Sequence, residues 1–530
     1  MNSNNKVYDI VVIGGGAVGS GIALDATLRG YKVLLLEKND FASGASSKSS
    51  KLVHGGIRYL EKAIKQFDRA QYNLVSEGLC ERSIFLKNAP FFSKKLKINI
   101  PIYSYTNLIY TYLGIFIYKL IAKNKSLGKN HFFNKVVSTL FFSNIKQENL
   151  KGILSFYDGT FLDTRMIISL LQTATQNGAE VKNYCEVTKF LYDENSKICG
   201  VSYFDKIENK TYEINSKVVV NATGANADNI RLLDDKESKE ILALSSGTHI
   251  VVSKDLFNIN EGILIPNTND GRVIFILPYL NHFLIGTTDN PIVYEENPKA
   301  KEKEIEYLLN EINSYFEKAI KKEDILSSWS GIRPLVKNEN KNETQQLVRE
   351  HIITTSKNAL VTIVGGKWTT YRKMAQDLVD LLEKEKFLEK LEECKTEKYK
   401  LLGNIANENE LNKIMNFYPI SQATKESLKT LYGSSCTQVL NIANEKDNFE
   451  LIHPKLPYLK AEIAYCINYE FVKKPIDFLS RRIGLCFVNK KLALDCVDVI
   501  CSEMANLLSW DEERKNKEIN NCRDFIISYF

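Results

Sequence analysis

Gly14, Gly16 and Gly19 stand in G-x-G-x-x-G spacing, and Glu37 follows about 20 residues later. Glycines so placed serve a tight turn, close approach of a pyrophosphate to backbone, and close packing of a helix on a strand. A carboxylate at that distance reaches a ribose hydroxyl, so this is dinucleotide chemistry, and Glu37 argues against a 2′-phosphate. The next group is Ser46 to Glu61, SSKSSKLVHGGIRYLE. Its serines suit phosphate and ribose contacts. Gly55 and Gly56 would let backbone lie against a flat ring such as a flavin, with His54 and Arg58 beside it; the alternative is a flexible surface loop. Gly365-Gly366-Lys367-Trp368-Thr369-Thr370-Tyr371-Arg372 is a second glycine turn before a helix. A helix N-terminus aimed at a flavin's pyrimidine edge would stabilise the negative charge of reduction. The alternative is a plain strand-to-helix turn.

Arg58, Arg333, Arg349 and Lys367 fall at loop positions and could converge on an anion. Guanidinium forks match paired phosphate oxygens. Arg333 is the strongest of them, because Gly-Ile-Arg-Pro makes a stiff turn. His249, in SSGTHIVV, could take a hydroxyl proton while hydride leaves the adjacent carbon. The alternative is a satisfied histidine at a strand end. Thr287, Thr288 and Asp289 could line the same pocket.

These residues need elements to hold them. Ile10 to Ile13 is an apolar run, the pattern of a strand buried on both faces. A helix is expected over about Ala17 to Arg29, stopped by Gly30, then a strand at Val33 to Leu36. Residues 61 to 150 read as mainly helical, Phe156 to Gly159 as a turn and Leu162 to Gly178 as a helix. Glu180 to Val187 reads as a strand, and Gly200 to Phe204 with Thr211 to Ile214 as a hairpin. Lys217 to Val220, closed by Asn221-Ala222-Thr223-Gly224, returns the chain to the dinucleotide sheet. Thr248 to Val252, Gly262 to Ile265, Val273 to Leu277 and Phe283 to Gly286 form a second β region. Lys301 to Lys321 reads as a charged helix, and Ala359 to Val364 as a third buried run. From about residue 390 the sequence turns charged and helical. The fold class is α/β: a Rossmann-like domain interleaved with an antiparallel-sheet substrate domain, plus a C-terminal all-α domain. Expected boundaries are 1–388 for the core and 389–530 for the helical domain. Within the core, the nucleotide parts are about 1–80, 150–235 and 355–388, and the substrate region about 240–355.

A chain of 530 residues is long for one core, so two or three domains are expected. A net charge of +6 gives no case for nucleic acid, and at most mild attraction to an anionic membrane surface. Ten scattered cysteines without a CxxC pair imply reduced thiols in a cytosolic compartment and no metal site. MNSNNK is polar and shows no apolar signal region. The longest apolar stretch is Ile102 to Ala122, with the single charge Lys119. Five tyrosines and several polar residues dilute it, which disfavours a membrane span. The first reading is a partly buried helix with an aromatic face; the second is a segment lying on a membrane.

The chain resembles the FAD-dependent glycerol-3-phosphate dehydrogenase family, the quinone-linked type. The stretches that carry the resemblance are DIVVIGGGAVGSGIALDATLRG, ASSKSSKLVHGGIRYLE, VNATGANAD, GTHIVV, IFILPYLNHFLIGTTD, SGIRPL, VGGKWTTYRKMA and EIAYCINYEFVKKPIDFLSRRIGL. They span nearly the whole chain, and HGGIRYLE with GGKWTTYR is specific among flavoenzymes. The resemblance implies oxidation of sn-glycerol 3-phosphate to dihydroxyacetone phosphate, with electrons passing through FAD to a membrane quinone. It implies an enzyme held peripherally at the cytoplasmic, inner face of the cell membrane. Arg58, Tyr59, Arg333, Arg349, Lys367 and Thr288 then bind substrate. His249 is the base, and Arg58, Arg333, Lys367 and His54 complete the catalytic set. The expected FAD contacts begin with Gly14, Gly16, Gly19 and Glu37. They continue through Ser46, Ser47, Ser49, Ser50, Lys51, His54, Gly55 and Gly56. Val187, Ala222, Thr223 and Gly224 follow, then Gly366, Lys367 and Thr369. Trp368 departs from the family's usual aliphatic residue, which puts the packing of the following helix in question. Three rival readings are a glycerol-3-phosphate oxidase releasing hydrogen peroxide, an amine or 2-hydroxy-acid oxidase, and a flavin-bearing protein without activity. The C-terminal domain would serve membrane docking or subunit contact, as in a homodimer.

Overall fold

Val7–Ile13 is buried throughout from Ile10, so it needs strands on both edges and cover on both faces. A computed structural model describes residues 7–56, 60, 68–257, 259–337 and 351–530. In it Val7–Ile13 runs parallel to Val33–Leu36 on one side and to Lys210–Asn221 on the other. Val361–Gly365 extends the sheet beyond Lys210–Asn221, and Glu180–Lys182 beyond Val33–Leu36. His351–Thr355, Ile198–Asp205 and Cys185–Tyr192 add antiparallel strands, for eight among the described residues. Helices Ala17–Leu28, Asp163–Gln176 and Tyr371–Lys384 cover one face.

Among the described residues the second sheet has ten strands. Its spine is Leu242–Ser253, paired antiparallel with Ile325–Val336 and with His282–Gly286. Ile274–Tyr279 and Gly262–Ile265 follow, then Ser93–Ile102 and Gly152–Phe161. Here the structure corrects the expectation of a mainly helical 61–150. Among the described residues of that segment, helices Arg69–Asn88, Tyr105–Ala122 and Lys135–Phe141 alternate with strands Ser93–Ile102 and His131–Asn134. Leu96, Ile98, Ile100 and Ile102 share one buried face at period two; Lys94 and Lys95 before them are exposed, and of the residues between them Lys97 is half-buried while Asn99 and Pro101 are buried. The expected turn at Phe156–Gly159 is the middle of strand Gly152–Phe161. Lys217 to Val220 is not a separate strand but the end of Lys210–Asn221. The expected strand Glu180 to Val187 is split into Glu180–Lys182 and the start of Cys185–Tyr192. The helix expected over Lys301–Lys321 stops at Asn313.

The chain from Glu408 to Tyr529 is helical, and its core of Leu428, Val439, Ile463, Phe478 and Ile500 runs into Val251, Tyr279, Leu284 and Trp329 of the second sheet. A buried ionic cluster ties it to the first sheet. Both oxygens of Asp40 take the Arg482 guanidinium, at 2.8 and 2.9 Å, and Oδ2 also takes Arg481 Nε at 2.5 Å. Arg481 donates on to Asp477 at 2.8 Å. Arg165 forks onto Glu470 at 2.5 and 2.6 Å. Burial opposes ionisation of Asp40, but Arg482 and Arg481 more than offset it and hold the carboxyl at about 2.

Candidate active site

The glycine turn is shaped by contacts that leave no room for side chains. Gly14 has φ +110°, and a Cβ there would lie 2.7 Å from Ala222 O; a Cβ on Gly19 would lie 1.9 Å from Gly14 O. Helix Ala17–Leu28 starts at Gly16 with no side-chain cap and no acidic residue in its first turn. Its N-terminus therefore offers N–H groups and positive dipole to an anion. Glu37 closes the turn from the side, accepting from Gly15 N at 2.7 Å and Asn39 N at 3.0 Å. Burial pushes its carboxyl up, and those two N–H groups hold it down. Ser46 Oγ accepts from Ala17 N at 3.0 Å.

These groups line a slot of about 270 Å³, completed by Val187, Ala222, Thr223, Gly224 and Gly366. Glycine backbone, an uncapped helix end and a carboxylate at the strand end are the donor set of a dinucleotide, so the residues present fit FAD. Substituting valine at Gly19 should drive Cβ into Gly14 O. We expect Gly19→Val to purify without flavin, read as loss of the visible absorbance band.

Through Lys48, Ile332, Pro334, Gly366, Lys367 and Trp368 the slot opens into a cavity of about 1400 Å³. His249, Ser50, His54, Thr287, Arg333 and Lys367 face it. His249 stands on Leu242–Ser253, its ring stacked 4.3 Å over Trp329 of the neighbouring strand. Its Nε2 meets Ser50 Oγ at 2.9 Å. Burial, then the charges of Arg333 and Lys51, push its pKa well below 6.5, so the imidazole is neutral at ordinary pH. Arg333 is anchored by Thr288 O at 3.1 Å and Thr287 Oγ1 at 3.0 Å, with Asp289 Oδ1 3.5 Å away.

Several expected residues sit elsewhere. Lys51 is buried and gives its ammonium to Asp163 and to Ser47 O, both at 2.6 Å. The rings of Trp329 and Phe487 lie 5.0 Å from it. Lys51 and Ser47 thus lie behind the cavity wall, as a prop for Trp329 and His249. Ser49 reaches the cavity, but its hydroxyl donates to Asp163 at 2.7 Å. Thr287 and Thr288 both border the cavity, but the Thr288 hydroxyl donates to Glu304 at 3.1 Å, whereas Thr287 Oγ1 accepts from Arg333. Gly55 packs on Leu79 and Tyr118; Gly56, with φ +88°, lines the cavity. Thr369 Oγ1 accepts from His54 N at 3.2 Å and so fixes that loop. Arg58, Tyr59 and Arg349 lie outside the described residues. Trp368 packs on Phe161 and Tyr371 and donates to Ser46 O at 3.0 Å, joining the two glycine turns. Lys48 is a residue that sequence reasoning missed. It lines both slot and cavity, and burial with nearby Arg481 lowers its pKa to about 8. Its signal was a lysine inside a serine run between two glycine turns.

A dinucleotide slot opening onto a cavity with a buried neutral imidazole and convergent cations defines an FAD-dependent oxidoreductase. Residues 9–372 match the family described as FAD dependent oxidoreductase, and residues 394–515 match the C-terminal domain of alpha-glycerophosphate oxidase. The chain is 39% identical over 534 residues to "Probable glycerol-3-phosphate dehydrogenase, mitochondrial" of Dictyostelium discoideum, covering 98% of this chain and 84% of that one. It is 35% identical to "Glycerol-3-phosphate dehydrogenase, mitochondrial" of Homo sapiens, covering 99% and 74%. The solved glycerol-3-phosphate dehydrogenase of Bacillus halodurans, complexed with FAD, superimposes with TM-score 0.78 at 30% identity, covering 98% of this chain and 95% of that one. L-alpha-glycerophosphate oxidase of Mycoplasma pneumoniae shares the fold at 17% identity, TM-score 0.56, over 71% of this chain and 95% of that one. The chain belongs to the FAD-dependent glycerol-3-phosphate dehydrogenase family.

Proposed function

We propose that this protein oxidises sn-glycerol 3-phosphate to dihydroxyacetone phosphate and passes the electrons to a membrane quinone, held peripherally at the cytoplasmic face of the cell membrane. The observation that carries the reading is the pairing of neutral His249 with Arg333, Lys367 and Lys48 around one cavity that meets the dinucleotide slot. A phosphate ester needs those cations; a neutral amine substrate does not. FAD, when bound, supplies a two-electron acceptor for the hydrogen on the substrate's hydroxyl-bearing carbon. Arg333 anchors the phosphate and, fixed by Thr287 and Thr288, sets which carbon points at the slot. His249 Nε2 takes the hydroxyl proton once the substrate hydroxyl replaces Ser50 there, with the ring held in line by its stacking on Trp329. The charge left on His249 is offset by the substrate's own phosphate at Arg333. Gly14, Gly16, Glu37, Ser46, Val187, Thr223 and Gly366 would hold the cofactor.

The acceptor has a second reading, because the C-terminal match is named for an oxidase. Anaerobic titration with sn-glycerol 3-phosphate separates the two. Bleaching of flavin absorbance, reversed quickly by a soluble quinone analogue and slowly by air, supports the quinone. Fast recovery in air with peroxide formed supports the oxidase, and no bleaching defeats the substrate reading. Arg333→Ala should keep its FAD yet need at least about tenfold more substrate to bleach, since a charge-assisted bond contributes about 1.5–3 kcal/mol.

A further inference from the structure

Glu304 is only 6% exposed and stands outside the cavity wall. Its carboxylate collects four donors, none of them charged. Thr248 Oγ1 at 2.8 Å and Lys301 N at 3.2 Å meet Oε2. Asn290 Nδ2 at 2.6 Å and Thr288 Oγ1 at 3.1 Å meet Oε1. Taking a carboxylate out of water is costly, and these bonds offset the cost. Glu304 is the third residue of helix Glu302–Asn313, and the bond from Lys301 N is the capping box of a helix start. A solvent-exposed glutamate caps a helix as well, so capping explains neither the burial nor the other three bonds.

Those three bonds reach the two segments that carry the base and the anion anchor. Thr248 precedes His249 on strand Leu242–Ser253. Thr288 and Asn290 lie just beyond strand His282–Gly286. Between the two strands Thr248 N donates to Thr288 Oγ1 at 2.9 Å. The Thr288 hydroxyl therefore accepts from the base's strand and donates to Glu304, while the Thr288 carbonyl accepts from Arg333 at 3.1 Å. The guanidinium has little latitude of its own. It is bonded on its other side to Thr287 Oγ1, and a Cβ built on Gly247 would lie 2.2 Å from Arg333 Nη2. A displacement of Thr288 is thus passed to Arg333.

We propose that Glu304 is a positioning residue for the phosphate anchor: through Thr288 it fixes Arg333 relative to His249. It thereby sets the separation of phosphate and hydroxyl-bearing carbon that the site accepts. The inference rests on the phosphate-ester reading above.

The test compares Glu304→Gln with Glu304→Leu, both loaded with FAD. Glutamine keeps an acceptor for Thr288 and Asn290 and turns its NH2 toward Thr248, whose hydroxyl can accept; toward Lys301 N it presents a donor, so only the helix cap is lost. Leucine fills the space and accepts nothing. Glu304→Gln should have a lower denaturant midpoint yet bind sn-glycerol 3-phosphate, read by anaerobic flavin bleaching, within about twofold of wild type. Glu304→Leu should bind it at least about fivefold more weakly, the effect of one hydrogen bond, with KM raised more than kcat is lowered. In an Arg333→Ala background Glu304→Leu should cost no further affinity, because both act in one network. Should Glu304→Leu fail to fold, Thr288→Val takes its place, since it removes the hydroxyl that joins Glu304 to Thr248 N and keeps the carbonyl. Affinity that simply follows the denaturant midpoint, or a loss that persists in full without Arg333, overturns the inference. A wild type that sn-glycerol 3-phosphate fails to bleach defeats the functional reading. Calorimetric titration with inorganic phosphate then makes the same comparison, and Glu304 keeps its role only if the leucine variant alone binds it weakly. A wild type that binds no phosphate overturns both.

Discussion

His249→Gln should lower kcat by about 10²–10⁴-fold, the usual contribution of a positioned base, while FAD content and substrate affinity stay near wild type. Glutamine keeps the side chain's bulk on Trp329 and a polar group toward Ser50, but it has no nitrogen that accepts a proton. The pH profile carries a second check. Burial, Arg333 and Lys51 hold His249 well below 6.5, and the reactive form is the neutral one. The rate should therefore stay flat as pH falls through 6.5 and drop only below it, as His249 takes up a proton. At the alkaline end Lys48, at about 8, loses its charge as pH rises, and kcat/KM should fall there. Lys48→Met should remove that alkaline limb and leave the acid limb in place. An acid limb at or above 6.5 that survives in His249→Gln would assign the base elsewhere.

Asp40→Ala should destabilise the protein by about 3–5 kcal/mol, because it strips the buried Arg482 guanidinium of its two-oxygen carboxylate partner and leaves Arg481 with Asp477 alone. Denaturant midpoints measured on the FAD-loaded protein report the loss. The same pair sets an acid limit. With its folded carboxyl at about 2, below the ordinary 3.8, Asp40 contributes fully above pH 3.8 and loses that contribution as pH falls through 2. Wild type should therefore lose stability across that window more steeply than Asp40→Ala. Equal stability of the two at pH 7 would show that the cluster does not hold the C-terminal helices to the nucleotide sheet.

Strands buried on both faces were legible as unbroken apolar runs, which is why Val7–Ile13, Val33–Leu36 and Val361–Gly365 stand close to where periodicity put them. Ser93–Ile102 was not, because three lysines and a proline hide the alternation of Leu96, Ile98, Ile100 and Ile102. Arg333 was picked out by residue type, but the stiff turn expected of it is absent: it lies within strand Ile325–Val336, opposite Ser245. Lys51 was misread because its partner Asp163 is 112 residues away, and nothing local distinguishes a caged lysine from one that faces a cofactor. Thr288 and Thr287 differ only in which way each side chain turns. That depends on Glu304, which arrives from another helix.

The interleaving of the two sheets has a consequence for biosynthesis. Val33–Leu36 can pair with Val7–Ile13 almost as soon as both leave the ribosome. The opposite neighbour, at Val7↔Asn215, is translated far later, and Val361–Gly365 later still. Through that interval a central strand of the nucleotide sheet has one open edge and no complete helical cover. Such non-local pairing folds slowly and is prone to aggregate while it waits. Heterologous yield should depend on slow translation and on chaperone supply. Fragments ending before Val361 should be recovered as insoluble material, even though they contain the whole glycine turn.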